Sequence, residues 1–146
     1  MHAPSGSPFE RPATRSAASR PRVLLVHDSP LALRLLRRLL DESAEVVGEA
    51  ADVDTALAQV ARCRADVVIA DLAAPDGGAL TLARKVRALW PWVQVVVHAE
   101  EPDAEAVGRA RMAGAAEVVT GSLRAQPWEL LAAVGRAYVA GLSARW

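Results

Sequence analysis

Residues 66–78, DVVIADLAAPDGG, form the stretch that decides the fold of this chain. The apolar run VVIA at residues 67–70 is followed by Asp71 and then by a loop that contains one proline and two glycines. An unbroken apolar run between turn residues is typical of a parallel strand that is covered on both faces. A carboxylate directly after such a strand lies at the edge where open α/β sheets bind their ligands. The stretch therefore predicts a buried strand and makes Asp71 a candidate functional group.

The rest of the chain alternates short apolar runs with amphipathic helical patterns. Strands are predicted at residues 22–27, 45–50, 93–98 and 117–120, on either side of the central run. Helices are predicted from Pro30 to about Asp41, after Asp52 or Asp54, from about Gly78 to Trp90, from 101–102 to Gly114, and from Pro127. Five strands alternating with five helices predict right-handed crossovers and a parallel sheet between two layers of helices.

The composition describes one globular domain. The chain has 146 residues, of which 52% are hydrophobic, so a core can form without disulfides or structural metals. Basic and acidic residues number 17 each, and this balance disfavours direct binding of nucleic acid. The single cysteine, Cys63, predicts a reducing, cytoplasmic setting. No apolar run approaches the ~18 residues that a membrane span needs.

The first 21 residues predict a disordered N-terminal tail. They contain four of the nine prolines and almost no large apolar residue. An artefact of the start site and a basic docking arm are both open interpretations, and we favour the first. The domain is then predicted at residues 22–141, with a C-terminal tail at residues 142–146.

Four segments together resemble the receiver domain of bacterial response regulators. They are DSP at 28–30, EVVGEAAD at 45–52, ADVVIADLAAPDGGALTLARKVR at 65–87 and AGAAEVV at 113–119. The resemblance covers about residues 22–140 and is similar in particular to receivers attached to LuxR-type DNA-binding domains. It implies the flavodoxin-like fold, a doubly wound five-stranded parallel sheet of order 2-1-3-4-5. It also implies a non-enzymatic signalling module in a two-component phosphorelay, with a histidine kinase as partner.

The resemblance assigns roles to residues at the carboxyl edge of the sheet. Asp71 occupies the position of the aspartate that accepts a phosphoryl group. Asp28, Asp71 and the backbone carbonyl of Ala73 occupy the positions that hold Mg²⁺ in the family.

Several site positions depart from the family pattern. His27 replaces the first acid of the metal pair, and His98 replaces the hydroxyl residue that ends strand four. Gly121 stands where a lysine is usual, and Val118 stands where the aromatic switch residue is usual. Lys85, the only lysine, is predicted on helix three, far from this site. We therefore expect an atypical receiver.

These departures leave three functions open. Losing the lysine removes a positive charge from the phosphoryl oxygens, so one expectation is a receiver with slow phosphorylation of Asp71. Another is a phosphorylation-independent pseudo-receiver that acts as a protein-interaction module or is gated by a metal or another ligand. A small enzyme ranks last, because no activated nucleophile–base set is visible.

The two strand-end histidines also have alternative roles. Strand order should bring His27, Asp28, Asp71 and His98 together. Imidazole suits a transition metal better than Mg²⁺, but the favoured interpretation is that each histidine hydrogen-bonds a neighbouring carboxylate. A third hypothesis is that a protonated histidine replaces the missing lysine charge.

One surface is a candidate partner site. The face formed by helix four, strand five and helix five, with Trp128, Tyr138 and Trp146, could support a homodimer. Trp90 and Trp92 are expected to pack inside the fold. The chain ends where an output domain would begin, so we expect a stand-alone receiver or a fragment of a longer regulator.

Overall fold

The computed structural model describes residues 19–73 and 78–144. Predictions about residues 1–18, 74–77 and 145–146, which include most of the N-terminal tail and Trp146, lie outside the described residues. Within those ranges, strands and helices alternate in the order β1 (Arg22–Val26), α1 (Pro30–Leu40), β2 (Glu45–Ala50), α2 (Val53–Cys63), β3 (Val67–Asp71), α3 (Gly78–Leu89), β4 (Gln94–Ala99), α4 (Ala104–Ala113), β5 (Glu117–Thr120) and α5 (Pro127–Leu142).

Neighbouring strands of the sheet pair in parallel, in the order β2-β1-β3-β4-β5. This order confirms the predicted doubly wound, flavodoxin-like fold. β1, β3 and β4 lie side by side, so their carboxyl ends meet at one edge of the sheet. In the register of β3 and β4, Asp71 lies opposite His98.

The side chains of the central strand, β3, are buried on both faces of the sheet. Val67, Val68, Ile69 and Ala70 are each at most 2% exposed. Val68 and Ala70 belong to the core under α2, α3 and α4, whereas Val67 and Ile69 belong to the core under α1 and α5. Burying each valine or isoleucine side chain stabilises the fold by roughly 1.5–3 kcal/mol. The same alternation of side chains leaves Asp71 at the strand end, where the cores stop.

Three elements have boundaries that differ from the predicted ones. β1 ends before His27, which lies in the turn to α1, and β4 begins and ends one residue later than predicted. α4 begins at Ala104 rather than at residues 101–102, because Asp103 caps the helix. The Asp103 carboxylate accepts a hydrogen bond from the Ala106 N–H at 2.7 Å, and such a cap is worth about 1 kcal/mol.

Both ends of the domain extend beyond the predicted limits of residues 22 and 141. Arg20 donates from its guanidinium to the Ala44 carbonyl at 2.6 Å. Pro21 is buried, and its carbonyl accepts a hydrogen bond from the Glu45 N–H at 2.8 Å. α5 continues to Leu142. Arg20, Pro21 and Leu142 are therefore parts of the folded domain rather than of the tails.

The aromatic residues divide between core and surface. Trp90 and Trp92 are buried, which confirms that they pack inside the fold, and Trp128 is 59% exposed. Tyr138 is only 4% exposed, so assigning it to a partner surface was wrong: α5 turns it into the core beside β4 and β5. No helix in the described ranges is both long and apolar enough to cross a membrane.

Candidate functional site

Asp71 lies at the carboxyl end of β3, and both oxygens of its carboxylate are engaged. Oδ1 accepts a hydrogen bond from the backbone N–H of Ala73 at 3.2 Å. Oδ2 lies 3.1 Å from Nε2 of His27. The side chain is 22% exposed, so the carboxylate is oriented by two neighbours and still reaches solvent.

The partners of His27 determine where its proton lies. The backbone N–H of Ser29 donates to Nδ1 of His27 at 3.0 Å, and a ring nitrogen that accepts such a bond carries no proton. The proton of the neutral ring is then on Nε2, from which it is donated to Oδ2 of Asp71. Ser29 is fixed in turn, because its hydroxyl caps α1 by accepting from the Ala32 N–H at 3.2 Å. The start of α1 therefore sets the orientation of the His27 ring.

The His27 ring lies between the two carboxylates that the family resemblance assigns to Mg²⁺. Its Nδ1 is 3.4 Å from Oδ1 of Asp28, and its Nε2 faces Asp71. Mg²⁺ binds oxygens at about 2.0–2.1 Å and needs them to converge on one point. The ring keeps these carboxylates from converging, so the residues as arranged do not fit a Mg²⁺ ion shared by Asp28, Asp71 and the Ala73 carbonyl.

The arrangement of the side chains also disfavours a transition-metal site. Among the residues that the structure describes, no group of three or more His, Cys, Asp or Glu side chains is arranged to hold a metal ion. The predicted convergence of four side chains is only partly found, because His27 contacts Asp28 and Asp71 whereas His98 turns to a different partner.

His98 bonds the backbone of the loop between β5 and α5. Its Nε2 lies 2.9 Å from the carbonyl oxygen of Gly121. A carbonyl only accepts, so Nε2 of His98 carries the proton and donates it. Hydrogen bonding to a carboxylate therefore describes His27 but not His98, whose ring ties the end of β4 to this loop.

Gly121 has a backbone conformation that suits glycine. Its φ angle is +89°, in the region that side chains disfavour, although a Cβ atom there would meet no atom within 4 Å. Its N–H lies 3.2 Å from the Ala99 carbonyl and 3.1 Å from the Glu100 carbonyl. Gly121 is thus fixed by hydrogen bonds from both sides, and a lysine here would strain the backbone.

Two clefts flank the pair formed by His27 and Asp71. The first, of about 480 Å³, lies between the strand ends and the loop after β5, and its polar lining comprises His27, Asp71, His98, Glu100, Glu101, Ser122 and Arg124. The second, of about 440 Å³, lies towards α2 and α3, and its carboxylates are Asp28, Asp52, Asp54 and Asp71. No lysine or arginine of the described chain lines the second cleft, so its charge repels anions.

Asp52 already has a structural role in the second cleft. Its carboxylate caps α2 by accepting from the Thr55 N–H at 2.8 Å. Hydrogen bonds from Thr55 lower the pKa of Asp52 below its ordinary value, with a smaller contribution from the Asp54 N–H. This carboxylate therefore serves as the N-cap of α2 rather than as a ligand-binding group.

The predicted site position Val118 lies outside the clefts, and so does Lys85, which was predicted to lie far from the site. Val118, on β5, is half-buried and packs against the core, and Lys85 is exposed on α3. Ser122 and Arg124 were not among the predicted site residues. The signal in the sequence is a hydroxyl residue and a basic residue within three positions of Gly121, in the loop that carries a lysine in the family.

Comparisons with known proteins find relatives over most of the chain. Residues 23–134 match the family described as the response regulator receiver domain. The DNA-binding transcriptional activator DevR/DosR of Mycobacterium tuberculosis is 34% identical over 105 residues, which are 70% of this chain and 48% of that protein. Protein-glutamate methylesterase/protein-glutamine glutaminase 5 of Myxococcus xanthus is 43% identical over 102 residues, which are 67% of this chain and 29% of that protein. The chain thus spans about half or less of the length of these curated relatives.

Solved structures share the fold over most of the chain. A LuxR-family two-component response regulator from Aurantimonas sp. SI85-9A1 has a TM-score of 0.76 at 27% identity, covering 84% of this chain and 87% of that one. The signal receiver domain of the response regulator NarL from Mycobacterium tuberculosis has a TM-score of 0.73 at 28% identity, covering 82% of this chain and 97% of that one.

Proposed function

The chain belongs to the response regulator receiver domain family, and from that premise we propose that it accepts a phosphoryl group on Asp71. Receiver domains of this family act in two-component signal transduction and are generally not enzymes. The proposed donor is a histidine kinase, and the proposed setting is the cytoplasm. The domain itself would then signal through protein contacts, with no catalytic reaction on another substrate and no direct contact with nucleic acid.

The observation that carries this proposal is the orientation of the Asp71 carboxylate. It is partly exposed, it lines both clefts, and each oxygen accepts one hydrogen bond, from His27 and from the Ala73 N–H. A carboxylate oxygen has a second lone pair, which remains available for attack. Positioning of this kind lowers the entropic cost of reaching an in-line geometry.

The transfer itself needs no proton from Asp71. With acetyl phosphate as donor, an Asp71 oxygen forms the new O–P bond, the bond between phosphorus and the acetyl oxygen breaks, and acetate leaves with the electron pair. Receiver domains typically bind Mg²⁺ at the phosphorylation site. Because the carboxylates do not converge here, the proposed step relies on side chains of this chain for charge stabilisation.

Intact-protein mass spectrometry after incubation with acetyl phosphate tests the proposal. The parent should gain one phosphoryl adduct, slowly, and Asp71→Asn should gain none. Parallel incubations with Mg²⁺ and with EDTA should give rates within about twofold of each other, since no metal is routed into the step. A folded parent without any adduct would overturn the proposal.

A second candidate function is a phosphorylation-independent interaction module. The observation that favours it is the hydrogen bond from His98 to Gly121, which fastens the end of β4 to the β5–α5 loop where a hydroxyl would otherwise sense the phosphoryl group. Under this function, Asp71→Asn would leave partner binding unchanged, and acetyl phosphate would not alter it.

We propose that the protein forms a homodimer through the face made by α4, β5 and α5. Met112 on α4 is 88% exposed and Trp128 on α5 is 59% exposed, so two large apolar side chains are available there. Analytical ultracentrifugation of the parent and of Trp128→Ala tests this. A parent that sediments as a dimer should become monomeric in the variant, and equal behaviour of the two proteins would contradict the proposed face.

A further inference from the structure

The proposed transfer leaves one electrostatic question, namely what replaces the missing lysine. A transferring phosphoryl group carries charge on its oxygens, and a fixed positive group nearby stabilises it. In the first cleft, Arg124 is the only lysine or arginine among the lining residues that the structure describes. No hydrogen bond or ion pair joins its side chain to another described residue, so its guanidinium is available to an anion.

We propose that Arg124 and Ser122 form the phosphoryl-binding half of the site, with Arg124 supplying the positive charge. This inference rests on the proposed function of Asp71, because the phosphoryl group would lie in the first cleft between Asp71 and the β5–α5 loop. The ligand class is a tetrahedral phosphoryl oxyanion, either on Asp71 or as free phosphate. A guanidinium suits such a group because its parallel N–H donors match two phosphoryl oxygens.

The loop that carries these two residues is held by its own hydrogen bonds. His98 donates to the Gly121 carbonyl at its start. The Ser122 hydroxyl oxygen accepts from the Ala125 N–H at 3.3 Å, and the Ser122 carbonyl accepts from the Gln126 N–H at 3.0 Å. The hydroxyl proton of Ser122 is left for donation into the cleft. His98 is therefore a positioning residue that acts through the loop.

Leu123 fixes the direction of the loop. It lies between the two proposed phosphoryl ligands, is 8% exposed, and packs in the core under α1 and α5. Because Leu123 points into the core, its neighbours Ser122 and Arg124 remain at the surface, where both line the cleft with Asp71.

Charge also decides between the two clefts. The second contains four aspartates and no lysine or arginine of the described chain, so a phosphoryl group is disfavoured there. The first contains Glu100 and Glu101 besides Asp71, and these carboxylates oppose an anion. Both glutamates are exposed, so solvent and salt screen their charge.

Two assays with one set of variants test the inference. The variants are Arg124→Ala, Arg124→Lys and, as a matched control, Arg109→Ala, which removes an exposed arginine on α4 that pairs with Glu105. Circular dichroism checks that each variant folds. The first assay measures the rate of adduct formation with acetyl phosphate. The second follows amide signals of Gly121 and Ser122 by NMR during titration with inorganic phosphate, in the parent and in Asp71→Asn.

The expected result is a loss specific to Arg124. Arg124→Ala should slow adduct formation about tenfold, which is what one charge-assisted hydrogen bond is worth. Arg124→Lys should retain part of the rate as a point charge, and Arg109→Ala should match the parent. Inorganic phosphate should shift the Gly121 and Ser122 signals in the parent and in Asp71→Asn, but not in Arg124→Ala.

Failure of this inference and failure of the proposed function are distinguishable. A parent without adduct removes the function of Asp71, while a phosphate response that depends on Arg124 still supports the anion site. An adduct that depends on Arg124 without any response to free phosphate identifies the ligand as the phosphoryl group on Asp71. The inference is overturned if neither assay separates Arg124→Ala from Arg109→Ala.

Discussion

The two clefts beside Asp71 share one wall and differ in charge. The lining of the first includes Arg124 and His98 besides the carboxylates of Asp71, Glu100 and Glu101. The second has four aspartates, and His27 is its only basic lining residue among those that the structure describes. Val26, His27, Ala70 and Asp71 line both clefts and form the shared wall. In our proposal the first cleft takes an anion through Arg124, whereas the second cleft carries four carboxylates and no lysine or arginine of the described residues.

Replacing the dividing histidine with an acid should have the largest effect. His27→Asp removes the hydrogen bond to Asp71 and places a third carboxylate beside Asp28 and Asp71. We expect the free energy of unfolding to fall by about 2 kcal/mol without divalent metal, from a lost donor and like-charge repulsion. The three carboxylates would then converge on Mg²⁺. Because an ion that binds only the folded state stabilises it, about 10 mM Mg²⁺ is expected to restore most of this loss. Urea denaturation with and without Mg²⁺ measures both the loss of stability and its recovery.

His27→Asn is the matched control, because it removes the ring without adding a charge. Its stability should fall by about 1 kcal/mol and should not respond to Mg²⁺. If Mg²⁺ stabilised the parent as much as His27→Asp, the His27 ring would not be what keeps the carboxylates of Asp28 and Asp71 apart.

The sequence predicted the fold because the relevant signals are local. The unbroken run at residues 67–70 requires cover on both faces, and a cap such as Asp52 lies next to the helix that it begins. The strand order then placed Asp71 beside His98, as the register confirms.

The chemistry of the site was less predictable, because it depends on side-chain orientation. His27 and His98 both follow or end a central strand, yet one bonds a carboxylate and the other a backbone carbonyl. Their choice depends on the turn to α1 and on the positive φ angle of Gly121, neither of which periodicity encodes. Arg124 was missed for the same reason, since its position follows from the path of the loop.

Substitution of Gly121 tests the anion cleft through its backbone. Gly121→Ala should cost about 1–2 kcal/mol, because alanine strains at a φ angle of +89° although its Cβ meets no atom. Gly108→Ala is a matched control within α4, also with no atom near the added Cβ, and it should stabilise the protein by about 0.5–1 kcal/mol. In thermal unfolding, the melting temperature should fall for Gly121→Ala and rise for Gly108→Ala. A shift in the same direction for both variants would contradict the assigned loop conformation.

Removing the histidine that anchors this loop should have a smaller effect. His98→Ala leaves the Gly121 carbonyl to bond water, so we expect a loss of about 0.5–1.5 kcal/mol. Hydrogen exchange of the Gly121 and Ser122 amides should accelerate, because the loop opens more often. His98→Gln, whose amide can donate to the same carbonyl, should retain part of the protection. Unchanged exchange in His98→Ala would show that the ring does not position the loop.

The smallest expected effect lies in the acidic cleft and appears only at low pH. The hydrogen bonds from Thr55 lower the pKa of Asp52 in the folded state relative to the unfolded state. The resulting stabilisation is therefore present above the unfolded value and is lost as the pH falls through the lowered, folded value. Asp52→Asn keeps a capping side chain but cannot titrate. Between about pH 5 and pH 2.5, the melting temperature of the parent should therefore fall more than that of the variant.

Asp54→Asn is the control for this pH series, because it removes a carboxylate from the same turn of α2 and leaves the cap intact. Its melting curve should keep the acid dependence of the parent. If instead both variants lost it equally, the dependence would come from the summed charge of the second cleft rather than from the cap. In that case Asp52 would count among the carboxylates available to a cation, and the cleft would offer three such groups beside Asp71 instead of two.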